Sequence, residues 1–281
     1  HPRAFSELYS SMVRAGEASG NLDGILIQLA EYLEATERLK REIKSAMTYP
    51  IIALVIVVAI AIGLLIFIVP KFQEIFESLG GQLPAPTLIL ITVSNVLRKY
   101  ALVVLGLLFA FVVALRYYVS TPTGQYQFDS LKLRVPVFGQ LFRKVAVSRF
   151  ARTLSTLTRS GVPVLSSLEI VERTIGNDVI SRAVRESQSS ISAGATIADP
   201  LAKSGVFPLM VTRMIDVGEK TGSLDELLAK ISEFYDQQVE AAIASLTAMI
   251  EPMLIVFLGI VVGGMVLALF MPIFKLSTLV G

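Results

Sequence analysis

The chain has 281 residues, 53% of them apolar, and a mean hydropathy of +0.67, which is too apolar for an ordinary soluble domain of this size. Lys and Arg number 25 against 23 Asp and Glu, and the resulting charge of +2 gives no electrostatic case for nucleic acid. Cysteine is absent, which excludes disulfides, thiolate nucleophiles and thiolate metal sites, and the single histidine is His1 at the chain end.

Residues 8–15 form a short amphipathic stretch ending at Gly16. A turn through Gly20 follows, and Asn21 is placed to cap a helix from Leu22. Leu22, Ile25, Leu26, Leu29, Leu33 and Leu39 recur at helical spacing, while Glu31, Glu34, Glu37, Arg38, Lys40 and Arg41 take the other face. The helix enters an apolar span at Pro50, where the missing backbone donor predicts a kink. Residues 51–69 carry no charge and are long enough to cross ~30 Å of hydrocarbon at about 1.5 Å per residue. Residues 71–86, with Gly80-Gly81 and Leu83-Pro84-Ala85-Pro86, read as a connecting loop.

Residues 87–97 are apolar but too short to cross alone, so they lie at the interface or lengthen the next span, with Arg98 and Lys99 at its edge. That second span, 101–115, is flanked by Tyr100, Tyr117 and Tyr118 as interfacial aromatics, and Arg116 can reach out to headgroups. From Ser120 to Gly139 the composition turns polar, and Pro122, Gly124, Pro136 and Gly139 punctuate a link. Val147, Phe150, Leu154 and Leu157 then form one helical stripe, with Arg149, Arg152 and Arg159 on the opposite face of an idealised wheel. Further helices run over 165–175, 179–191 and 209–217, broken at Gly161-Val162-Pro163, Gly176-Asn177, Gly194, Asp199-Pro200 and 205–208. Ser223 with Glu226 has capping-box spacing, and the stripe Leu224, Leu227, Leu228, Ile231, Phe234 and Tyr235 starts a helix that continues through Pro252 into a third span, 252–274. The fold class is all-α.

One layout occurs twice. Gly16-Glu17-Ala18-Ser19-Gly20-Asn21-Leu22-Asp23, a helix and an apolar span from Pro50 to Pro70 recur as Gly218-Glu219-Lys220-Thr221-Gly222-Ser223-Leu224-Asp225, a helix and a span from Pro252 to Pro272. The offset is constant: 218 minus 16, 252 minus 50 and 272 minus 70 all give 202. This register, kept without a gap, indicates a duplicated unit in which a helical bundle feeds a transmembrane helix.

The expected organisation is 1–49 as the rear part of a first helical domain, 50–70 as the first span, 71–99 as an external loop, and 100–119 as the second span. A linker over 120–144, a second helical domain over 145–250, the third span over 251–274 and a tail over 275–281 follow. Because position 1 corresponds to position 203, the front of the first domain, about a hundred residues, is expected ahead of His1. Arg38, Lys40, Arg41 and Lys44 before the first span and Arg116, Lys132 and Arg134 after the second outweigh Lys71, Arg98, Lys99 and Lys275. The bias places both helical domains on the cytoplasmic side.

The glycine-rich element does not suit phosphate. A phosphate loop needs Gly-Lys-Ser/Thr after four intervening residues, whereas Lys220 precedes Gly222 and its counterpart is Ala18. The element reads as a tight helix-turn-helix with Gly16, Gly20, Gly218 and Gly222 in the turns and Asp23 or Asp225 in the first turn of the next helix. Glu17 and Glu219, directly after a glycine, suit a cap, a salt bridge or a partner contact. Arg149, Arg152 and Arg159 suit a solvated face, anionic headgroups or an acidic partner. No spacing gives a catalytic, cofactor-binding or metal-ligating constellation. The apolar cores of the spans hold no ionisable residue, which disfavours transport, but they carry small residues at helical spacing: Ala59 with Gly63, Gly106 with Ala110, and Gly259 with Gly263.

Arg149-Phe150-Ala151-Arg152-Thr153-Leu154, Ser160-Gly161-Val162-Pro163, Gly218-Glu219 with Gly222 and Leu224, and Glu251-Pro252 resemble the inner-membrane platform proteins of type IV pilus assembly and type II secretion, the PilC/GspF family. The closing Met271-Pro272-Ile273-Phe274-Lys275-Leu276 and the Phe138-Gly139 link look more like the pilus branch. The resemblance implies cytoplasmic helical bundles and three spans in the bacterial inner membrane, with no enzymatic activity and no cofactor. It further implies coupling to a cytoplasmic hexameric motor ATPase, contacts with pilin or pseudopilin subunits, other inner-membrane assembly proteins and lipid, and homo-oligomers. The alternative from another class is a small-solute transporter or channel subunit.

Overall fold

The computed structural model describes residues 6–78, 84–136 and 138–280, so the expected glycine turn at Gly80-Gly81 and the lone His1 lie outside it. Every element among the described residues is helical, in agreement with the period reading. The chain divides into two compact units, residues 1–44 with 119–244 and residues 45–118 with 245–281.

The first unit holds α1 (Glu7–Ser19), the start of α2 (Leu22–Gly63), α5 (Pro122–Arg134), α6 (Phe138–Arg159), α7 (Val164–Thr174), α8 (Asp178–Ser192), α9 (Ala198–Lys203), α10 (Leu209–Thr221) and the start of α11 (Leu224–Val280). Val147, Phe150, Leu154 and Leu157 on α6 are fully buried, as their spacing predicts, and the Phe150 and Phe207 rings meet with centroids 4.7 Å apart. The same core takes Leu8 and Met12 from α1 and Ile25 and Leu29 from α2, alongside Leu168, Val184, Ile215, Leu228 and Ile231.

Stretches expected as connections prove helical. Thr121 accepts the Gly124 N–H through its side chain and Pro122 occupies the first turn, so this proline and glycine open α5 instead of marking a link. Asp199 and Pro200 likewise stand in the first turn of α9. Proline is compatible with a helix start because the N–H it lacks has no partner there.

The second unit holds the apolar parts of α2 and α11, a π-helical turn (Leu64–Ile68), α3 (Val69–Ser78) and α4 (Ala85–Val119). Residues 71–78, expected in a loop, belong to α3. Pro70 cannot donate to the carbonyl four residues back and its ring crowds that carbonyl; a widened turn, with the Val69 N–H reaching Leu64 five residues earlier, carries the helix past it. Residues 87–97 are helical: α4 consists of two helical segments that meet at a kink at Tyr100 (φ −114°, ψ 18°). Its buried Ser94 donates to the Leu65 carbonyl at 2.5 Å and its buried Thr87 to the Ala268 carbonyl at 2.5 Å, so one short stretch of α4 bonds to the π turn and to α11. Among the described residues three helices are long and apolar enough to cross a bilayer, and this is a membrane protein. Pro50 and Pro252 both lie inside continuous helices.

Candidate functional site

The duplicated element folds the same way twice. Helices α1 and α10 are each 13 residues long and end on a left-handed glycine, Gly20 (φ 69°, ψ 13°) and Gly222 (φ 72°, ψ 13°). In the first copy the N–H groups of Gly20 and Asn21 converge on the Gly16 carbonyl, and in the second those of Gly222 and Ser223 converge on Gly218. Only the second glycine of each pair is a turn residue. Gly16 and Gly218 are helical and buried: an added Cβ would stand 3.2 Å from the Leu22 Cα and 2.9 Å from the Leu224 Cα, so the next helix crosses on the missing side chain. The reading of all four glycines as turn residues is thereby corrected, and Glu17 and Glu219 sit in the last helical turn.

Glu219 has a structural partner. Both carboxylate oxygens accept the Ile197 N–H, at 3.0 and 2.8 Å, fastening α10 to the residue that opens α9. Glu17 is exposed and, among the described residues, has no such partner. The capping box expected at Ser223 takes another form, since its hydroxyl lies 2.6 Å from that of Thr221.

The three arginines share the side of α6 opposite the apolar stripe but not one environment. Arg152 is buried and ion-paired with Asp236, whose other oxygen accepts from Ser148 at 2.5 Å. The helical wheel places it on the right side of α6 but leaves it solvated, because the wheel sees the apolar stripe and not the carboxylate that α11 brings to α6. Arg149 is half-buried with its guanidinium beside Gly176, and Arg159 is exposed. Along the same pair of helices Ser155 donates to the Asp225 carbonyl at 2.8 Å and Lys144 to the Gln238 side chain at 3.1 Å. These contacts fasten α6 to the first four turns of α11. A cavity of about 170 Å³ beside them is lined by Glu31, Tyr32, Arg152, Arg159 and Glu233, with positive and negative groups in equal number.

A second clamp escaped the sequence reading altogether. Asp129 of α5 is buried, accepts the Asp178 N–H at the start of α8 at 2.8 Å and pairs with Lys132 at 2.9 Å. Arg182 pairs with Asp178 and lies 4.4 Å from the Tyr126 ring centre. Thr121-Pro122, a cap followed by a first-turn proline, is the sequence signal that reveals α5.

In the second unit, an added Cβ at Gly63, Gly106, Gly259 or Gly263 would meet no atom within 4 Å, and Ala59 and Ala110 are exposed. These small residues do not mediate packing within one described chain. Among the described residues no group of three or more His, Cys, Asp or Glu gathers to hold a metal ion. The contacts described above fasten helices to one another.

A family model described as Type II secretion system (T2SS), protein F matches residues 1–70 and 150–272. The chain is 46% identical over 277 residues to a type IV pilus assembly protein PilC of Myxococcus xanthus, covering 99% of this chain and 66% of that protein. It is 47% identical to a protein of the same description from Thermus thermophilus (98% and 68%), and 36% identical to a type II secretion system protein F of Pseudomonas aeruginosa (100% and 69%). The chain thus spans about two thirds of the length of these relatives.

Proposed function

The chain belongs to the type II secretion system protein F family, and we propose that it serves as an inner-membrane platform for assembling a type IV pilus. In this reading it takes motion from a cytoplasmic motor ATPase and applies it to the insertion or extraction of pilin subunits. It works as a homo-oligomer beside other inner-membrane assembly proteins, and it has no catalysis of its own. The higher identity to relatives described as pilus assembly proteins supports the pilus branch over secretion.

The observation that carries the proposal is α11. Its first turns are held to α6 at Asp225, Asp236 and Gln238 and supply Leu228, Ile231 and Tyr235 to the bundle core, while the same uninterrupted helix supplies Met265 and Ala268 to the other unit. At about 1.5 Å per residue, its 57 residues measure on the order of 85 Å. A helix that belongs to a bundle at one end and to apolar surroundings at the other suits the transfer of displacement and not of solute. The absence of ionisable residues from 51–69, 101–115 and 252–270 supports the same view.

The basic residues beside the first two spans support cytoplasmic bundles, with 71–99 and 275–281 on the far side. The division into 1–49 and 145–250 as members of two duplicated domains is part of this proposal. Gly63, Gly106, Gly259 and Gly263 are then surfaces for other protomers or for pilin, and Arg159 and Glu17 are points of contact for a cytoplasmic partner. Deleting the gene in its host and scoring surface pili tests the reading: loss of pili with normal pilin levels is expected. Normal piliation, or solute flux through proteoliposomes holding only this protein, overturns it.

A further inference from the structure

The two copies of the duplicated unit bury opposite halves of one apolar stripe. On α11, Leu228, Ile231 and Tyr235 are buried in the bundle formed with α6–α10, while Phe234 is 42% exposed and Leu227 half-buried. On α2 the counterpart of the second, Leu29, is buried like Ile231 at 3% exposed, whereas those of the first and third, Leu26 and Leu33, are 43% and 49% exposed and Ile25, the counterpart of Leu227, is 2% exposed, so the exchange is of the flanks around one shared buried position. Helices α1 and α10 show the same inversion: Leu8 and Met12 are 2% and 0% exposed, whereas their counterparts Met210 and Met214 are 37% exposed and half-buried. Each copy therefore has two apolar faces, one for its own bundle and one that α1–α2 turns toward α6. The second face is fixed by the Tyr32 hydroxyl 3.2 Å from that of Thr153, and by Ser160 donating to Gln28 at 2.9 Å.

One ion pair reveals how the copies are related. Arg38 of α2 lies 3.6 Å from Glu240 of α11, and 240 minus 38 is 202, the offset of the duplication. A contact between equivalent positions arises when the partners are related by a two-fold axis passing close to that contact. We infer that the α1–α2 and α10–α11 hairpins are the two sides of an internal pseudo-two-fold interface, and that the outer face of α10–α11 docks a helix pair of the α6–α7 type supplied by the first copy. The axis turns the contact of α1–α2 with α6 into a contact of α10–α11 with the counterpart of α6, 202 positions earlier in the protein. That same pair covers Leu26 and Leu33, as α6 covers Leu228 and Tyr235, so one occupant accounts for both exposed faces. A second copy of the chain is a poor occupant because its α6 is already taken by its own Leu8 and Met12. The relatives extend beyond the matched stretch by about a third of their length, which is room for such a segment.

The test is photo-crosslinking in cells on the full-length protein, with p-benzoylphenylalanine at position 234, at position 26 and, as a control, at position 32. The control is expected to label α6. Positions 234 and 26 are expected to label one and the same segment, about 200 residues ahead of α6, within the same polypeptide. Adducts from position 234 to lipid, to another protein or between two copies, or no adduct while the control succeeds, would overturn the inference. The result is independent of whether the protein builds pili.

Discussion

Gly218 and Gly222 stand four residues apart in one motif, yet alanine is expected to act on them through different physics. At Gly218 the backbone is helical, and exchanging glycine for alanine inside a helix ordinarily gains about 0.8–1.0 kcal/mol. Here the new Cβ would lie 2.9 Å from the Leu224 Cα and 3.3 Å from the Leu227 Cδ1, and a main-chain atom cannot rotate away. Overpacking of this kind costs about 1–3 kcal/mol, leaving a net loss of up to about 2 kcal/mol. At Gly222 nothing lies within 4 Å of an added Cβ, but φ is +72°, which costs an ordinary residue about 1–2 kcal/mol and asparagine less. Hydrogen exchange of α10 amides in the detergent-solubilised protein reads both, since each 1.4 kcal/mol of local stability is about tenfold in opening. Gly222→Asn is expected to exchange more slowly than Gly222→Ala, and Gly218→Ala faster than wild type. If Gly218→Ala exchanges more slowly than wild type, the close crossing of the two helices is wrong. The first copy repeats the experiment, with milder overlap, at Gly16 and Gly20.

Arg152→Met leaves the Asp236 carboxylate, whose side chain is 14% exposed, without its cation, and is expected to cost about 3–5 kcal/mol in thermal unfolding of the bundle. Adding Asp236→Leu should restore part of that loss, and an undiminished loss would show that the ion pair is not the cause. Ser94→Ala leaves the Leu65 carbonyl of the π turn without its hydroxyl donor; a loss of about 0.6–1.7 kcal/mol is expected for unfolding in bicelles, and a neutral result would sink the proposed fastening. Burial raises the Tyr235 phenol above its ordinary 10.0. The unfolded chain therefore releases this proton first, so the stability is fully present below pH 10 and is lost as pH rises through the higher folded value. Tyr235→Phe is expected to flatten the alkaline side of the stability profile, and an unchanged profile would contradict the assignment.

The fold class, the three spans and the register of the duplication were legible because each rests on local pattern: period 3.6, length of apolar run, and glycine spacing. The misses have two causes, a local cue left unused and partners distant in sequence. Pro122 and Gly124 suit a link and a helix start alike, and the capping Thr121 just ahead of the proline is the local cue that decides for the start. A solvated face, anionic headgroups and an acidic partner all stay open for Arg152 in the sequence, because its carboxylate partner lies 84 residues away. Asp129 was invisible for the same reason, its acceptor role depending on an N–H 49 residues away. Glu219 is the instructive case. Its repetition in both copies marked it, but its job is defined by Ile197, and no spacing rule connects a carboxylate to an amide that happens to open a short helix beside it.

The prolines bear directly on how a clamped helix could move a membrane segment. Pro50 and Pro252 are equivalent by the 202 offset, and each lies a few residues past the border between the compact units, at 44/45 and 244/245. Each lacks the N–H that would bond the residue four positions back, Ala46 or Ala248, so each helix has its weakest turn at the same place. On the bundle side of that turn α11 is held by Asp225, Asp236 and Gln238. On the other side the carbonyl of Ala268 is held by Thr87. The missing bond is duplicated in register, so it belongs to the repeated unit and not to one helix.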